Sequence, residues 1–328
     1  MLTFKKFWNF IQIETSRVLS LILRKTVVWG VPYTVSIEPT CLCNLKCPEC
    51  LTGLGITRRE NTNLDLALYQ NIIDEIKTTT LYLMLYFQGE PFMNRDIFGM
   101  IKYASERKIY TVISSNGQFL DNEMSGRIIQ AGLDRLIISV DGTDQKTFEK
   151  YRVGGDLSRI LEGTKYLNAL KKERNEKRPE IIFQFLVFRH NEFQVDFFKK
   201  FGRSSGADRT WIKSAQVINP DKSLETIPRN TLYSRYRPDD EGGIKIKASL
   251  RNKCTRLWRT CVVTTDGNII PCCFDKNAKY KMGDLKNTGF REIWYNQRYM
   301  EFRKMILNNR SQTDICNNCT EGIRVYIK

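Results

Sequence analysis

From Tyr33 to Lys213, short apolar runs rich in β-branched residues alternate with longer amphipathic stretches, and this rhythm constrains the fold more than any other feature of the chain. The runs Tyr33–Ile37, Leu81–Phe87, Ile109–Ser114, Arg135–Val140, Ile181–Phe188 and Arg209–Lys213 predict strands. The stretches Asp65–Thr78, Asp96–Arg107, Asp121–Ala131, Leu157–Lys172 and Glu192–Ser205 predict helices. Asp opens several of these helices, as a side chain that caps free N–H groups. Gly132 and Gly206 fall just after two of them, where a helix ends most cheaply. Strands that alternate with helices build parallel βαβ units. The expectation is an α/β protein, and six strands suit an open, partial (β/α)6 barrel better than a closed eight-fold one.

The rhythm stops after Lys213. Pro220, Pro228, Pro238, Gly242 and Gly243 mark 215–250 as a linker. Beyond it, Val262–Thr265 and Asn268–Ile270 flank Asp266-Gly267, a strong hairpin signal. The expected organisation is therefore an N-terminal amphipathic helical segment (1–30), a barrel (31–214), a linker (215–250) and a small cysteine-rich hairpin and helix domain (251–328).

The chain holds ten cysteines and one histidine in 328 residues. One histidine excludes multi-histidine metal sites. No run in the first 30 residues is long and apolar enough for a membrane span, and no cleavage signal follows, so the expected compartment is the cytoplasm. There, clustered cysteines serve metal or redox chemistry more often than disulfides. Cys43, Cys47 and Cys50 follow the first predicted strand with C-x3-C-x2-C spacing. Three thiolates on one loop can hold three irons of a [4Fe–4S] cluster and leave the fourth iron open for a ligand. Cys41 is expected to be a neighbour only. Cys254, Cys272, Cys316 and Cys319 form a second set that could hold a further cluster or one zinc. Cys261 and Cys273 remain over. They are expected to be small buried residues.

The segment Glu38-Pro39-Thr40-Cys41-Leu42-Cys43-Asn44-Leu45-Lys46-Cys47-Pro48-Glu49-Cys50 resembles the signature loop of radical S-adenosylmethionine (SAM) enzymes. The resemblance implies the radical SAM type of partial barrel. It also implies SAM bound at the open iron and cleaved by one electron to a 5′-deoxyadenosyl radical, which abstracts a substrate hydrogen. Further segments match in order. Gly89-Glu90-Pro91 is similar to the family's contact for the SAM amino group, with Gln88 in place of its first glycine. Ser115-Asn116 and Ser139-Val140-Asp141 follow two strands, the second resembling a ribose-contacting segment. Arg152 lies in a stretch whose arginine pairs with the SAM carboxylate in that family.

The C-terminal cysteines resemble the SPASM/Twitch extension of the same enzymes, with Trp258, Asp266-Gly267, Glu292-Ile293-Trp294 and Arg303 in support. Too few cysteines remain for two auxiliary clusters. The implied cofactors are thus SAM and two [4Fe–4S] clusters, one at Cys43, Cys47 and Cys50 and one at Cys254, Cys272, Cys316 and Cys319. The implied activity is oxidation or epimerisation of a small, sugar-like or lipid-linked substrate, with a peptide-modifying maturase as the alternative; in an epimerisation the resemblance would make Cys261 or Cys273 a hydrogen-atom donor to the substrate radical. The implied partners are an electron donor such as flavodoxin or ferredoxin and a small or anionic substrate.

Formal charge is +16, and it is uneven: +4 in 1–30 (five basic, one acidic), +2 in 31–244 and +10 in 245–328. A basic excess favours phosphates. A nonenzymatic zinc protein that binds nucleic acid would use it so, but leaves the barrel pattern unexplained, and nucleic acid is not expected as a partner. Phe4, Phe7, Trp8, Ile11, Val18, Leu19, Ile22 and Leu23 recur at roughly helical spacing. That stretch either packs on the barrel or touches an anionic membrane surface.

Overall fold

The computed structural model describes residues 2–60, 62–218, 224–240, 243–247, 251–319 and 321. In chain order the elements are α1 (Phe4–Leu23), β1 (Thr34–Ile37), α2 (Leu66–Ile76), β2 (Tyr82–Met84), α3 (Ile97–Glu106), β3 (Tyr110–Ser115), α4 (Asn122–Ala131), β4 (Arg135–Ser139), α5 (Gln145–Glu149), α6 (Leu157–Glu173), β5 (Glu180–Val187), α7 (Val195–Ser204) and β6 (Arg209–Ser214). There follow β7 (Tyr236–Pro238), β8 (Ile244–Ile246), α8 (Arg256–Arg259), β9 (Thr260–Val263), β10 (Asn268–Ile270), β11 (Gly283–Asp284), α9 (Phe290–Tyr295) and α10 (Gln297–Asn309). All six predicted strands and all five predicted helices are present, with ends shifted by a few residues. Asp65 and Asp121 cap α2 and α4 through bonds from Leu68 N (2.9 Å) and Met124 N (2.7 Å), whereas Asp96 makes no such bond to α3. Gly132 ends α4 in the left-handed region (φ 77°).

The chain packs as two units. The first comprises residues 1–42, 58–112 and 249–322; the second comprises 43–57, 113–248 and 323–328. In the first, β1 pairs in parallel with β2 on one side and β9 on the other, and β2 pairs in parallel with the start of β3. The sheet continues antiparallel from β9 to β10 and β11. In the second, β4, β5 and β6 are parallel neighbours. The strands β1 and β4 are buried almost without alternation, β4 reading Leu136, Ile137, Ile138 and Ser139 all inside, as parallel strands covered on both faces do.

Two findings differ from the sequence expectation. The cysteine-rich segment does not stand apart, because β9 takes a place beside β1 over four residue pairs, Thr34 with Thr260 through Ile37 with Val263. Side chains reinforce this. Trp258 Nε1 donates to Val27 O (2.9 Å), Trp294 Nε1 to Gly30 O (2.9 Å), and Arg259 forks onto Glu14. The expected linker also contains a β7–β8 hairpin, which encloses Val217, Ile227 and Tyr236. Pro238 ends β7 at the edge of a two-stranded sheet, where a missing N–H is tolerated. Pro220 and Gly242 lie outside the described residues. The Asp266-Gly267 turn forms as expected, with Gly267 N bonded to Thr264 O (2.9 Å) and a φ of 84°.

The N-terminal stretch is the α1 helix, and it docks by its polar face, not by the apolar one. It buries Lys6, Asn9, Ile13, Ser16 and Ser20 and leaves Phe4, Phe7, Trp8, Ile11, Val18, Ile22 and Leu23 exposed. Among the described residues, no helix is long and apolar enough to cross a membrane.

Candidate functional site: two cysteine centres

In the second unit the loop after β1 carries Cys43, Cys47 and Cys50. Leu45, Cys47, Tyr151, Phe188 and Ala215 form a buried apolar cluster, with Cys43, Cys50 and Leu186 packed against it. The loop is held by three bonds to its surroundings. Lys46 N donates to Val153 O (3.0 Å), Ile218 N donates to Glu49 Oε2 (2.6 Å), and Asn116 Nδ2 donates to Asn44 Oδ1 (2.8 Å). Gly53 lets the chain close over Cys47, since a Cβ there would stand 2.6 Å from both Cys47 N and O.

Polar groups converge on the sulfurs. Asn116 Nδ2 lies 3.9 Å from Cys43 Sγ, and an Arg152 guanidinium nitrogen lies 3.9 Å from Cys47 Sγ. Asp141 aims that arginine. Its carboxylate accepts from Arg152 Nε (2.6 Å) and Leu186 N (2.6 Å), while Asn191 Nδ2 donates to its carbonyl (2.9 Å). Burial works to lower the Arg152 pKa, yet Asp141 and Cys47 hold it above the ordinary value. Burial also pushes the Asp141 carboxyl up, but two short charge-assisted bonds favour the carboxylate, and we take the pair as ionised. Burial raises the Cys47 thiol, with Arg152 opposing it. Ser115 Oγ is engaged by Gly117 N (2.9 Å), and Ser139 is buried at the end of β4. The structure thus brings Cys43, Cys47, Cys50, Asn116, Asp141 and Arg152 together.

In the first unit, Gly89-Glu90-Pro91 shapes the backbone behind β2. Gly89 has φ 70°, and a Cβ there would come within 2.4 Å of Thr40 O, so only glycine fits. Glu90 N bonds Leu42 O (2.7 Å), and its carboxylate accepts from Phe92 N (3.2 Å). Gln88 needs no left-handed backbone; its N–H donates to Glu38 Oε1 (3.2 Å). Gly89→Ala is expected to lower the melting temperature, the strain and overpacking costing about 1–3 kcal/mol or more; an unchanged thermal melt would overturn the steric account.

Sequence reasoning missed Glu38. It is fully buried, forks onto Arg59 (2.5 and 2.8 Å) and also accepts from Gln88 and Thr265 backbone N–H groups. It thereby ties β1, the Gly89 segment and the β9–β10 turn to one carboxylate. Its place directly before Pro39 and the cysteines was the available signal. Cys41 is in this unit, sealed against Thr265 Oγ1 (3.5 Å), and burial pushes its thiol up to about 11.

The same unit holds the second set. Cys254, Cys272, Cys316 and Cys319 are all buried. Burial pushes Cys254 up to about 12 and raises Cys272, Cys316 and Cys319. The four share one neighbourhood, since Cys319 raises Cys254, Cys272 and Cys316, and Cys254 also raises Cys272. Two arginines attend them, Arg310 3.2 Å from Cys319 Sγ and Arg256 3.8 Å from Cys273 Sγ. The leftover cysteines part here. Cys273 is exposed beside the four; Cys261 is wholly enclosed on β9, where its environment includes the buried Arg303. Arg303 itself is stacked on Trp294 and Tyr299 (4.1 and 3.9 Å to the ring centres), and burial lowers it to about 10.

Among the described residues, no three Cys, His, Asp or Glu side chains gather tightly enough for a single metal ion. Both sets carry features an iron–sulfur cluster needs: grouped cysteines that become thiolates on binding, with guanidinium groups in place to offset the anionic charge.

A family model for the radical SAM superfamily matches residues 37–188, and one for an iron–sulfur cluster-binding domain, SPASM, matches residues 254–320. The chain belongs to the radical SAM enzymes that carry a C-terminal SPASM domain. That membership implies a partial barrel, SAM, a SAM-binding [4Fe–4S] cluster and auxiliary iron–sulfur binding, as the sequence resemblance led us to expect. Among its relatives is an AdoMet-dependent heme synthase of Methanosarcina barkeri, 24% identical over 90% of this chain and 89% of the relative. Another is an S-adenosyl-L-methionine-dependent 2-deoxy-scyllo-inosamine dehydrogenase of Niallia circulans, 22% identical over 87% of this chain and 91% of the relative. The solved structure of Streptococcus suis SuiB bound to S-adenosylmethionine superposes with a TM-score of 0.66 at 17% identity, covering 95% of this chain and 77% of that one, a likeness of fold.

Proposed function

We propose that this enzyme abstracts a hydrogen atom from a small, sugar-like or lipid-linked substrate and brings about its dehydrogenation or epimerisation. The observation that carries this reading is the convergence of Asn116 and the Asp141-held Arg152 on the Cys43–Cys50 loop. The bound cluster and SAM supply the 5′-deoxyadenosyl radical. Cys43, Cys47 and Cys50 are the proposed ligands. Arg152, fixed in direction by Asp141, presents a guanidinium for the SAM carboxylate. Gly89, Glu90 and Pro91 are proposed for the SAM amino group, Ser115 and Asn116 for positioning SAM, and Ser139 for its ribose. Tyr151 and Phe188, whose rings meet tilted with centres 4.3 Å apart, keep water from the loop.

Cys254, Cys272, Cys316 and Cys319 are the proposed auxiliary ligands, and Cys261 or Cys273 is the proposed hydrogen donor if the reaction is an epimerisation, Cys273 being the exposed one of the two. A reductant of the flavodoxin or ferredoxin kind is needed. The dehydrogenase relative, matched nearly end to end, favours the small-molecule reading. A peptide-modifying maturase is the second reading, favoured by the likeness to SuiB, which has also been solved with its precursor peptide.

Anaerobic reconstitution with SAM, reductant and candidate substrates is the test, with 5′-deoxyadenosine and product followed together. About eight irons per chain are expected. Cys316→Ala should lose about half of them, keep some uncoupled SAM cleavage and form no product. Full turnover in that variant would rule out a catalytic auxiliary cluster.

A further inference from the structure

The α1 helix is built inside out for a helix that merely packs on its own fold. Such helices bury an apolar stripe and expose a polar one. Here the positions spaced for burial, 6, 9, 13, 16 and 20, are Lys, Asn, Ile, Ser and Ser. The docking is directional. Lys6 Nζ donates to Lys108 O (2.7 Å), Asn9 exchanges two bonds with the Val31 backbone (2.8 and 2.9 Å), and Ser20 Oγ donates to Val27 O (2.8 Å) and accepts from Val27 N (2.9 Å). These bonds fix the rotation of the helix about its axis. They leave Phe4, Phe7, Trp8, Ile11, Val18 and Ile22 in one outward row, with Phe4 80% exposed and Ile22 70%. A row of large apolar side chains held in water by a helix that could have turned them inward marks a binding surface.

What surrounds the row decides its occupant. A cavity of about 480 Å³ opens at the aromatic end, lined by Phe4 and by the basic side chains Lys5, Lys6, Lys77, Arg107 and Lys108. Asp74 pairs with Lys77 (3.1 Å) and Arg107 (2.9 Å), but one acid against five lining cations leaves the cavity basic. A second copy across this face would bring like charge to the cavity in either direction: the same cavity if the helices ran parallel, Arg24 and Lys25 at the far end of the row if they ran antiparallel. A surface that is apolar and anionic at once fits both features, and that is the interface of an acidic bilayer. With no helix able to span a membrane among the described residues, the helix would lie in the interface plane.

We propose that α1 is a membrane-docking element, with Phe4, Phe7, Trp8, Ile11, Val18 and Ile22 entering the headgroup layer of an anionic bilayer and the cavity beside Lys5 and Lys77 receiving lipid phosphates. This goes beyond the proposed reaction, and its test needs no turnover. The full reconstituted chain is floated with vesicles of phosphatidylcholine alone and of phosphatidylcholine with phosphatidylglycerol, at low and high salt. Binding is expected to the acidic vesicles only and to weaken with salt. The triple variant Phe4→Ser, Trp8→Ser, Ile22→Ser should bind at least about tenfold less, with an unchanged thermal melt because the replaced side chains are exposed. The double variant Lys5→Glu, Lys77→Glu should lose the preference for acidic vesicles. No flotation of the parent chain, equal flotation of the triple variant, or a parent dimer in sedimentation that the triple variant dissolves would each overturn the proposal.

Discussion

Cys43→Ala is expected to reduce 5′-deoxyadenosine formation by about three orders of magnitude or more, because removing one member of a unit that acts together costs nearly as much as removing all of it. Cys43 is one of the three proposed ligands on the loop, and the [4Fe–4S] cluster proposed there has no protein ligand for its fourth iron. Two thiolates cannot hold it, so about four irons per chain should be lost with the activity. Asn116 makes the result more specific. Its amide faces Cys43 Sγ at 3.9 Å and bonds Asn44 at 2.8 Å, so Asn116→Ala should loosen the loop and lower the yield of cluster without abolishing it. Cys41→Ser is the control. That thiol is enclosed against Thr265, and the cost of ionising it is raised by burial and by Glu38, which makes it a poor substitute ligand. Iron analysis and chromatography of 5′-deoxyadenosine after anaerobic reconstitution check all three variants. Retained iron and cleavage in Cys43→Ala would remove the loop from its proposed role.

The strands and helices between residues 33 and 214 were legible because their signals are local: β-branched runs for parallel strands, an Asp before a helix, a Gly after it. What could not be read is non-local. Nothing near Thr260–Val263 says that it will lie parallel to Thr34–Ile37, since that register is set by partners more than 200 residues away. Pro238 argued for a linker, and only the edge position of β7 explains how a strand accepts it. The spacing of Phe4 through Ile22 showed an apolar face but not which face would dock, because the choice is made by Asn9 and Lys6 bonding to backbone groups far along the chain. In the site, the cysteine spacing announced the chemistry. The residues that hold it, Glu38 and Glu49, were inside the signature segment yet carried no individual mark, since a buried carboxylate and a surface one look alike in sequence.

Asp141→Ala is expected to be the most destabilising single substitution in the second unit. The carboxylate is fully buried, Arg152 is only slightly exposed, and they meet at 2.6 Å. Removing the acid leaves a guanidinium in an apolar pocket with Tyr151 and Cys47, and an unpaired buried charge costs about 3–5 kcal/mol. It also strands the Leu186 amide, which now donates to the same carboxylate. At about 2–4 °C per kcal/mol for a chain of this size, the melting temperature should fall by roughly 6–20 °C. Arg152→Met should do comparable harm by stranding the acid instead. The double variant Asp141→Leu, Arg152→Met should be less destabilised than the sum of the single changes, because replacing both ions with apolar groups removes both desolvation costs. SAM binding separates the structural from the functional share. Arg152→Lys keeps a charge opposite Asp141 but loses the planar fork, so it should melt within a few degrees of the parent while binding SAM at least about tenfold more weakly. Additive single and double effects would show that the pair does not act as a unit. Unaltered SAM affinity in Arg152→Lys would show that the guanidinium serves the loop and not the ligand.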